Sequence, residues 1–526
     1  MSDPVADDVP GTREIGFVRS EHANCSSILW DNLERNPDKL AVISSSSNLT
    51  YRELTAVASM WGNAFKAAGL VRQDRIACLL DDTPVYPAVF FGAVRAGFVP
   101  VLLNTQTKPD VLNYYLRDSE ARLVVTEASL SDQFTKQTLD GTCVEKIIAV
   151  DEYGDGSAGL KEFLKDQPTR LNCADTEPDE MAFWMYSSGT TGQPKGIVHL
   201  HHDMAYTHQS FGLNVLKLSH DDICFSVPKI FFAYGFGNSL TFPFSVGATA
   251  LLASGRPRSD AVLDTIEKFR PTVFFGLPTL YNLLCRDESI GSRNLTSIRQ
   301  SISAAETLSE EIYNTWQELT GHGITEGLGS TELLHIYLSN RHDDHRTGAA
   351  GARVAGYEIR LVSPEGDNVG AGEEGIMLVR GHSSTPGYWR QPEKTAETVR
   401  GEWIYTGDRF LQRDGYYYFQ GRADDLVKIS GQWVWPLEVE RCLNDHPDVH
   451  ESAVMAQELS DKRMTLRAVI CLKDGVCADD DQTRLLQDHV RNHLMPFKYP
   501  RVVEYRKELP KTGTGKIDRQ ALLEEC

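Results

Sequence analysis

The chain has little of what would place it in a membrane, on a nucleic acid or in an oxidising compartment. Its longest apolar run, residues 85–103, is broken by Pro87, Arg95 and Pro100. It therefore reads as a buried helix followed by a strand and not as a membrane span. Basic residues are in deficit: 53 Lys and Arg against 73 Asp and Glu give a formal charge of −20. A nucleic-acid backbone or an anionic lipid surface would be repelled overall, and any anionic ligand must be met by locally focused positive charge. No C-x-x-C pair occurs among the ten cysteines, the closest two being Cys471 and Cys477. That scatter fits reduced thiols and argues against a disulfide or zinc framework, and it leaves the sequons at Asn24, Asn48 and Asn294 without meaning. The first residues, Met1-Ser2-Asp3-Pro4-Val5-Ala6-Asp7-Asp8, carry acid where a signal peptide needs a basic and then an apolar stretch, so a cytoplasmic location is expected. Internal repeats and low-complexity tracts are also missing.

What is present is an ordinary globular composition spread over 526 residues, which at about 150 residues per domain implies three to four structural units. From Leu54 the apolar positions Leu54, Val57, Trp61 and Phe65 recur at helical spacing until Gly69, and a short apolar strand candidate follows at 75–80. Similar runs at 99–103, 123–126, 146–150 and 272–276 are separated by helical stretches, the signature of α/β layers. Around 401–431 the composition shifts to Gly, Asp and Tyr, which marks a junction. Strand candidates at 452–456 and 464–472 and a helix near 482–494 then suffice for a small α+β domain. The fold class expected is α/β: a large N-terminal domain of helix-covered sheets, residues 1–423, and a small mobile α+β C-terminal domain, residues 424–526.

The most informative segment is Tyr186-Ser187-Ser188-Gly189-Thr190-Thr191-Gly192-Gln193-Pro194-Lys195-Gly196. Glycines let backbone N–H groups converge on an anion, hydroxyls add hydrogen bonds, and Lys195 supplies charge, so the segment is suited to phosphate. It is not a Walker loop, because Pro194 stands where that pattern needs glycine. Four histidines, His199, His201, His202 and His208, lie close together, but no acidic or thiol spacing accompanies them and a metal site is not expected there.

The segment from Tyr186 to Gly196 resembles the phosphate loop of the adenylate-forming superfamily of acyl-CoA synthetases, adenylation domains and luciferases. Further segments resemble that superfamily's motifs in the same order: Gly327-Leu328-Gly329-Ser330-Thr331-Glu332, Tyr405-Thr406-Gly407-Asp408, Gly421-Arg422, and Leu509-Pro510-Lys511-Thr512-Gly513-Thr514-Gly515-Lys516. The resemblance implies nucleotide contacts from Ser187, Ser188, Gly189, Thr190, Thr191, Lys195, Ala304, Glu306, Glu326 and Leu328. Thr331 would touch the α-phosphate, Glu332 would help to hold magnesium, and Asp408 with Arg422 would grip the ribose hydroxyls. Lys516 would be the catalytic lysine; alone it reads as an exposed tail residue, and the flanking T-G-T-G-K pattern reverses that reading. Asp424 matches the hinge about which the small domain turns between two half-reactions, with Lys428 and Gly431 then facing coenzyme A. Glu326 and Leu328 depart from the usual residues at their positions, an Asp and an aromatic.

Within the superfamily, Lys229-Ile230-Phe231-Phe232-Ala233-Tyr234-Gly235-Phe236-Gly237-Asn238, Glu332-Leu333-Leu334-His335 and Lys428-Ile429-Ser430-Gly431-Gln432-Trp433-Val434 resemble benzoate-type CoA ligases, which include hydroxybenzoate and aminobenzoate ligases. Phe232, Ala233, Tyr234 and Leu328 would wall the pocket of an aromatic acid, and His335 would offer a polar or cationic group at its carboxylate. The implied reaction joins that acid to coenzyme A with ATP and Mg2+, through an aryl-AMP intermediate. Two alternatives stay open on these residues: a free-standing adenylation enzyme that loads a carrier protein, and a non-catalytic module that binds nucleotide and aryl acid. Partners are expected to be small molecules, with neither nucleic acid nor membrane, in a homodimer or a monomer.

Overall fold

A computed structural model of the chain describes residues 15, 17, 24–151, 158–187, 194–304, 308–370, 372–423, 427–429, 432–459, 464–511 and 517–524. They form two units that are not continuous in sequence: Met1–Ile359 with Val379–Tyr405 and Asp414–Tyr417, and Arg360–Leu378 with Thr406–Arg413 and Tyr418–Cys526. None of the described helices is long and apolar enough to cross a membrane.

The first unit starts from an amphipathic helix, Tyr51–Ala67, opened by a capping box in which the Glu53 N–H donates to Thr50 Oγ1 and the Thr50 N–H to Glu53 Oε2. Its apolar face, with Leu54, Ala58, Trp61 and Phe65, is buried. The helix Val85–Arg95 packs against it and is buried on every side from Val85 to Val94, as expected of a helix apolar all round. The two backbones meet at Gly92, where a Cβ would stand 2.3 Å from the Ala58 carbonyl oxygen. These helices cover a six-stranded sheet ordered Lys146–Val150, Leu123–Glu127, Arg75–Leu79, Val99–Leu102, Met181–Ser187, Lys195–Leu200. All pairs are parallel except the last, and strands Leu123–Glu127, Arg75–Leu79 and Val99–Leu102 are buried almost throughout because both faces are covered.

A stretch of a second, larger sheet in this unit runs Thr249–Leu251, Ile223–Ser226, Val273–Gly276, Gln300–Ala304, Ile324–Gly329, and these five strands pair parallel. The chain passes from 223–226 outward to 249–251, then returns to 273–276 on the other side of 223–226. Strand order therefore reverses between Ile223–Ser226 and Val273–Gly276, and such a switch point opens a crevice outside the carboxyl ends of the strands. The segment 227–234 leaves the sheet at that point, and the rings of Tyr234 and Phe275 lie 6.3 Å apart.

The second unit holds a three-stranded sheet ordered Val449–Glu458, Met464–Leu472, Val502–Tyr505, with helices Pro436–Asn444 and Asp480–His493. Its core joins Val439, Leu443, Val454, Leu466, Ile470, Leu486 and Val490. The expected strands and helix of the small α+β domain are all present, the helix over Asp480–His493 and the second strand over Met464–Leu472.

Candidate active site

The phosphate-loop segment is a hairpin. Strands Met181–Ser187 and Lys195–Leu200 pair antiparallel with Ser187 opposite Lys195, so both residues sit at the foot of the turn. Ser188, Gly189, Thr190 and Thr191 lie outside the described residues. Lys195 Nζ stands 4.7 Å above the ring of Tyr388, and the Tyr388 hydroxyl donates to Glu332 Oε1 at 2.9 Å. The foot of the loop is thus tied to the Glu332 carboxylate through one aromatic ring.

Thr331 and Glu332 open a short 3-10 turn, Thr331–Leu333, after strand Ile324–Gly329. The turn is held from behind: the His199 ring bridges the Thr331 carbonyl at 2.8 Å and the Asp203 carboxylate at 2.8 Å, and both side chains are fully buried. The Thr385 N–H donates to the Glu332 carbonyl at 2.7 Å. His201 and His208 go elsewhere. His201 Nδ1 accepts from the Cys25 N–H at 3.2 Å, and burial lowers both imidazoles to about 4.

Ala304 closes strand Gln300–Ala304 opposite Gly327, which places Ala304, Glu326 and Leu328 together at the carboxyl ends of adjacent strands. Glu306 lies outside the described residues. The Glu326 Oε1 accepts from the Leu308 N–H at 3.0 Å, yet burial pushes its carboxyl up to about 7.

The aromatic cluster around His335 is built by two π-helical turns, His208–Leu213 and Gly237–Thr241, irregularities that recur at functional sites. They bring Phe211 and Phe242 to the His335 ring at 5.1 and 4.6 Å, and Tyr234 approaches it at 5.7 Å. Gly237 makes this possible, since a Cβ there would lie 2.4 Å from His335 Cδ2. Leu334, at φ 64°, turns the chain into the left-handed region just before His335, a strain that a leucine holds only because its surroundings fix it. His335 is buried and neither ring nitrogen makes a hydrogen bond of normal geometry with a described residue. Burial drives its pKa down to about 3, with the Tyr234 backbone opposing weakly. The expectation of a polar or cationic group is therefore narrowed: without ligand His335 is neutral, because among the described residues no carboxylate offsets its desolvation. Ala233 is buried, Phe232 and Tyr234 are partly open, and the Tyr234 hydroxyl lies enclosed beside the Asn238 amide.

Asp81 and Asp82, which no motif marks, anchor this wall. Lys229 Nζ donates to Asp81 Oδ1 at 2.6 Å and to the Ala253 carbonyl at 2.8 Å, and the Ile230 N–H donates to Asp82 Oδ1 at 3.1 Å. Burial pushes Asp82 up to about 7, against the pull of Lys229. Asp81 and Asp82 follow strand Arg75–Leu79, so the carboxyl edge of one sheet fixes the loop leaving the other.

In the second unit, Asp408 Oδ1 and Arg422 Nη1 are 3.1 Å apart. Arg422 also donates to the Thr406 carbonyl, and the Thr406 hydroxyl accepts from the Asp408 N–H, both at 3.1 Å. The expected pair is brought together. Lys428 lies on strand Val427–Ile429, paired with Trp433; its side chain, with Asp424, Gly431 and Lys516, falls outside the described residues. The residues flanking Lys516 are tied: Lys511 pairs with Ile517, and the Asp518 N–H donates to the Pro510 carbonyl at 2.7 Å.

In fold this is an adenylate-forming protein, a large α/β part with its crevices at strand carboxyl ends and a small α+β part. The chain belongs to the AMP-binding enzyme family, which it matches over residues 29–389, and it matches the AMP-binding enzyme C-terminal domain over 438–516. It is 39% identical to a benzoate–CoA ligase of Thauera aromatica, over 91% of this chain and 92% of that one. With a 4-hydroxybenzoate–CoA/benzoate–CoA ligase of Rhodopseudomonas palustris it shares 38%, over 92% and 90%. Among solved structures, an anthranilate CoA ligase in complex with anthranoyl-AMP superposes with a TM-score of 0.88 at 37% identity, covering 95% of this chain and 97% of that one.

Proposed function

We propose that the chain ligates an aromatic carboxylic acid of the benzoate or 2-aminobenzoate type to coenzyme A, using ATP and passing through an aryl-AMP intermediate. The observation that carries the aryl assignment is His335: a buried, neutral imidazole without a hydrogen-bonding neighbour of normal geometry, ringed by Phe211, Tyr234 and Phe242. A buried polar group left so is costly unless a ligand completes it. A flat ring fits between aromatic walls, and a neutral imidazole N–H can donate to its carboxylate.

In the first half-reaction a carboxylate oxygen attacks the α-phosphorus of ATP, the bond to the bridging oxygen breaks, and pyrophosphate leaves. Two anions meet, so positive charge must be placed locally in a chain of charge −20. Lys195 at the loop foot and Lys516 fill that need in this reading, with Thr331 donating to the α-phosphate and Asp408 with Arg422 holding the ribose hydroxyls. The donor set at Glu332 fits magnesium: Oε1 already accepts from the Tyr388 hydroxyl, which orients the carboxylate and leaves its other oxygen to a hard cation. Bound there, magnesium would supply charge neutralisation on the phosphate oxygens. In the second half-reaction the thiol of coenzyme A attacks the acyl carbonyl and AMP leaves; Lys428 and Gly431 would face that substrate, and the small domain, 424–526, would turn about Asp424 between the two steps. The protein works in the cytoplasm in this account.

Apolar burial in a flat slot is worth about 25 cal/mol per Å2, while a long acyl chain would have to bend and lose rotamer freedom. Measured kcat/KM for CoA consumption should therefore favour benzoate and 2-aminobenzoate over decanoate by at least about a hundredfold, with acetate poor because it leaves the slot unfilled. Preference for either aliphatic acid would overturn the aryl assignment and leave the adenylate chemistry standing.

A further inference from the structure

The second unit carries a cluster of soft metal ligands that the reaction above does not use. Cys442 lies on helix Pro436–Asn444, and His489 and His493 lie on helix Asp480–His493, four residues apart and hence on one face. One candidate ligand atom from each of the three lies within 4.8 Å of the other two. The two imidazoles stand 4.2 Å apart between ring centres.

Hydrogen bonds already orient both rings. His489 Nε2 lies 2.9 Å from the Cys442 carbonyl oxygen, and His493 Nδ1 lies 2.8 Å from the His489 carbonyl oxygen. A carbonyl only accepts, so each of these nitrogens donates and the other nitrogen of each neutral ring keeps its lone pair. Metal-ligating histidines are held in this way, with one N–H given to a carbonyl to fix the tautomer. A third histidine, His446, meets His489 edge-on at 5.0 Å, but its Nδ1 accepts from the Asp448 N–H at 3.2 Å. Its proton is therefore on Nε2, and it packs against the cluster without offering a ligand from that side.

We propose that Cys442, His489 and His493 form a three-ligand site for a borderline-soft divalent cation of the zinc type, with a fourth position open beside the exposed His493. One sulfur and two imidazole nitrogens suit zinc and are a poor set for magnesium or calcium, which take oxygen. Zn–S and Zn–N bonds of about 2.3 and 2.0 Å put tetrahedral ligands about 3.5 Å apart, so modest side-chain rotation gathers the three. Capture of the ion releases the thiol proton and ties helices Pro436–Asn444 and Asp480–His493 together.

The test uses the full chain, freed of metal and without nucleotide, titrated with Co2+ as a spectroscopic probe and with Zn2+ by calorimetry. One equivalent of Co2+ should bring a thiolate-to-cobalt charge-transfer band with tetrahedral d–d bands. Cys442→Ala should abolish the band, Cys143→Ala, at an exposed cysteine, should leave it, and His493→Ala should weaken Zn2+ binding by at least about tenfold. His493 is exposed, so this last variant folds, and a matching far-ultraviolet circular dichroism spectrum verifies the others. Absence of a thiolate band in the wild-type chain, an unchanged band in Cys442→Ala, or unchanged Zn2+ affinity in His493→Ala would each overturn the site.

Discussion

At the scale of single residues the candidate site holds groups kept in unfavourable states. His335 is neutral and lacks a normal hydrogen bond to any described residue. If its N–H serves the substrate carboxylate, His335→Leu loses a hydrogen bond to a charged group, worth about 1.5–3 kcal/mol. That is about tenfold to a hundredfold in kcat/KM for benzoate, while thermal stability without ligand holds or rises, because an orphaned polar ring is replaced by an apolar side chain. Unchanged kcat/KM would refute the role, and a fall of several degrees in Tm would make the ring structural. Glu326 gives a pH signature. Its folded carboxyl titrates near 7 against an ordinary 4.5, so the native state binds the proton more tightly than the unfolded chain does. Its contribution to stability is complete below about 4.5, declines as pH rises, and stops changing above about 7. In Glu326→Gln this decline is absent, so the Tm difference, variant minus wild type, should grow between those two pH values and then stay level. A flat difference would show that Glu326 does not hold its proton.

At the scale of elements, much was legible. The helical spacing of Leu54, Trp61 and Phe65 gives Tyr51–Ala67, and the β-branched runs give the parallel strands, because a helix stripe and a doubly covered strand each write their burial into adjacent residues. Contacts between residues far apart in the chain were not. Tyr388 reaches Glu332 across 56 positions, Lys229 reaches Asp81 across 148, and His199 reaches Thr331 across 132. Nothing local marks such a pair. The spacing of the histidines at 199–208 argues against a metal site, and the structure finds in His199 the support of the Thr331 turn. Cysteine spacing within one segment cannot mark the soft-ligand cluster, because Cys442 and His489 come together only when two helices pack. Nor does apolar periodicity foretell the π-helical turn at Gly237–Thr241, since all five residues are buried and no polar stripe is left to show a shift of phase. That turn matters: a Gly237→Ala side chain would press on His335 at 2.4 Å. Steady-state kinetics should show a raised KM and lowered kcat for the aryl acid with the KM for ATP nearly unaltered; a change in ATP alone would place Gly237 outside the acid pocket.

At the scale of the whole molecule, one shift in composition announces a large α/β part and a small α+β part; both are found, and the smaller compact unit also takes in Arg360–Leu378 and Thr406–Arg413. Two half-reactions make a division of labour useful. Adenylate formation gathers negative charge on a bridging oxygen, whereas attack of a thiol on the acyl carbonyl releases AMP and needs no cation at that oxygen. Lys516, carried by the Thr512-Gly513-Thr514-Gly515-Lys516 run, is assigned by our reading to the first step alone. An interaction made only in one transition state affects only that step. Lys516→Ala should therefore slow aryl-adenylate formation by about a hundredfold to a thousandfold, the cost of removing one preorganised donor. Thioester formation from supplied aryl-AMP and coenzyme A should stay within a few fold of wild type. Single-turnover assays of pyrophosphate release and of thioester yield separate the two. Loss of both to the same extent would mean that Lys516 serves the fold or a shared substrate contact, and loss confined to the thioester step would reverse the assignment of the small domain's faces.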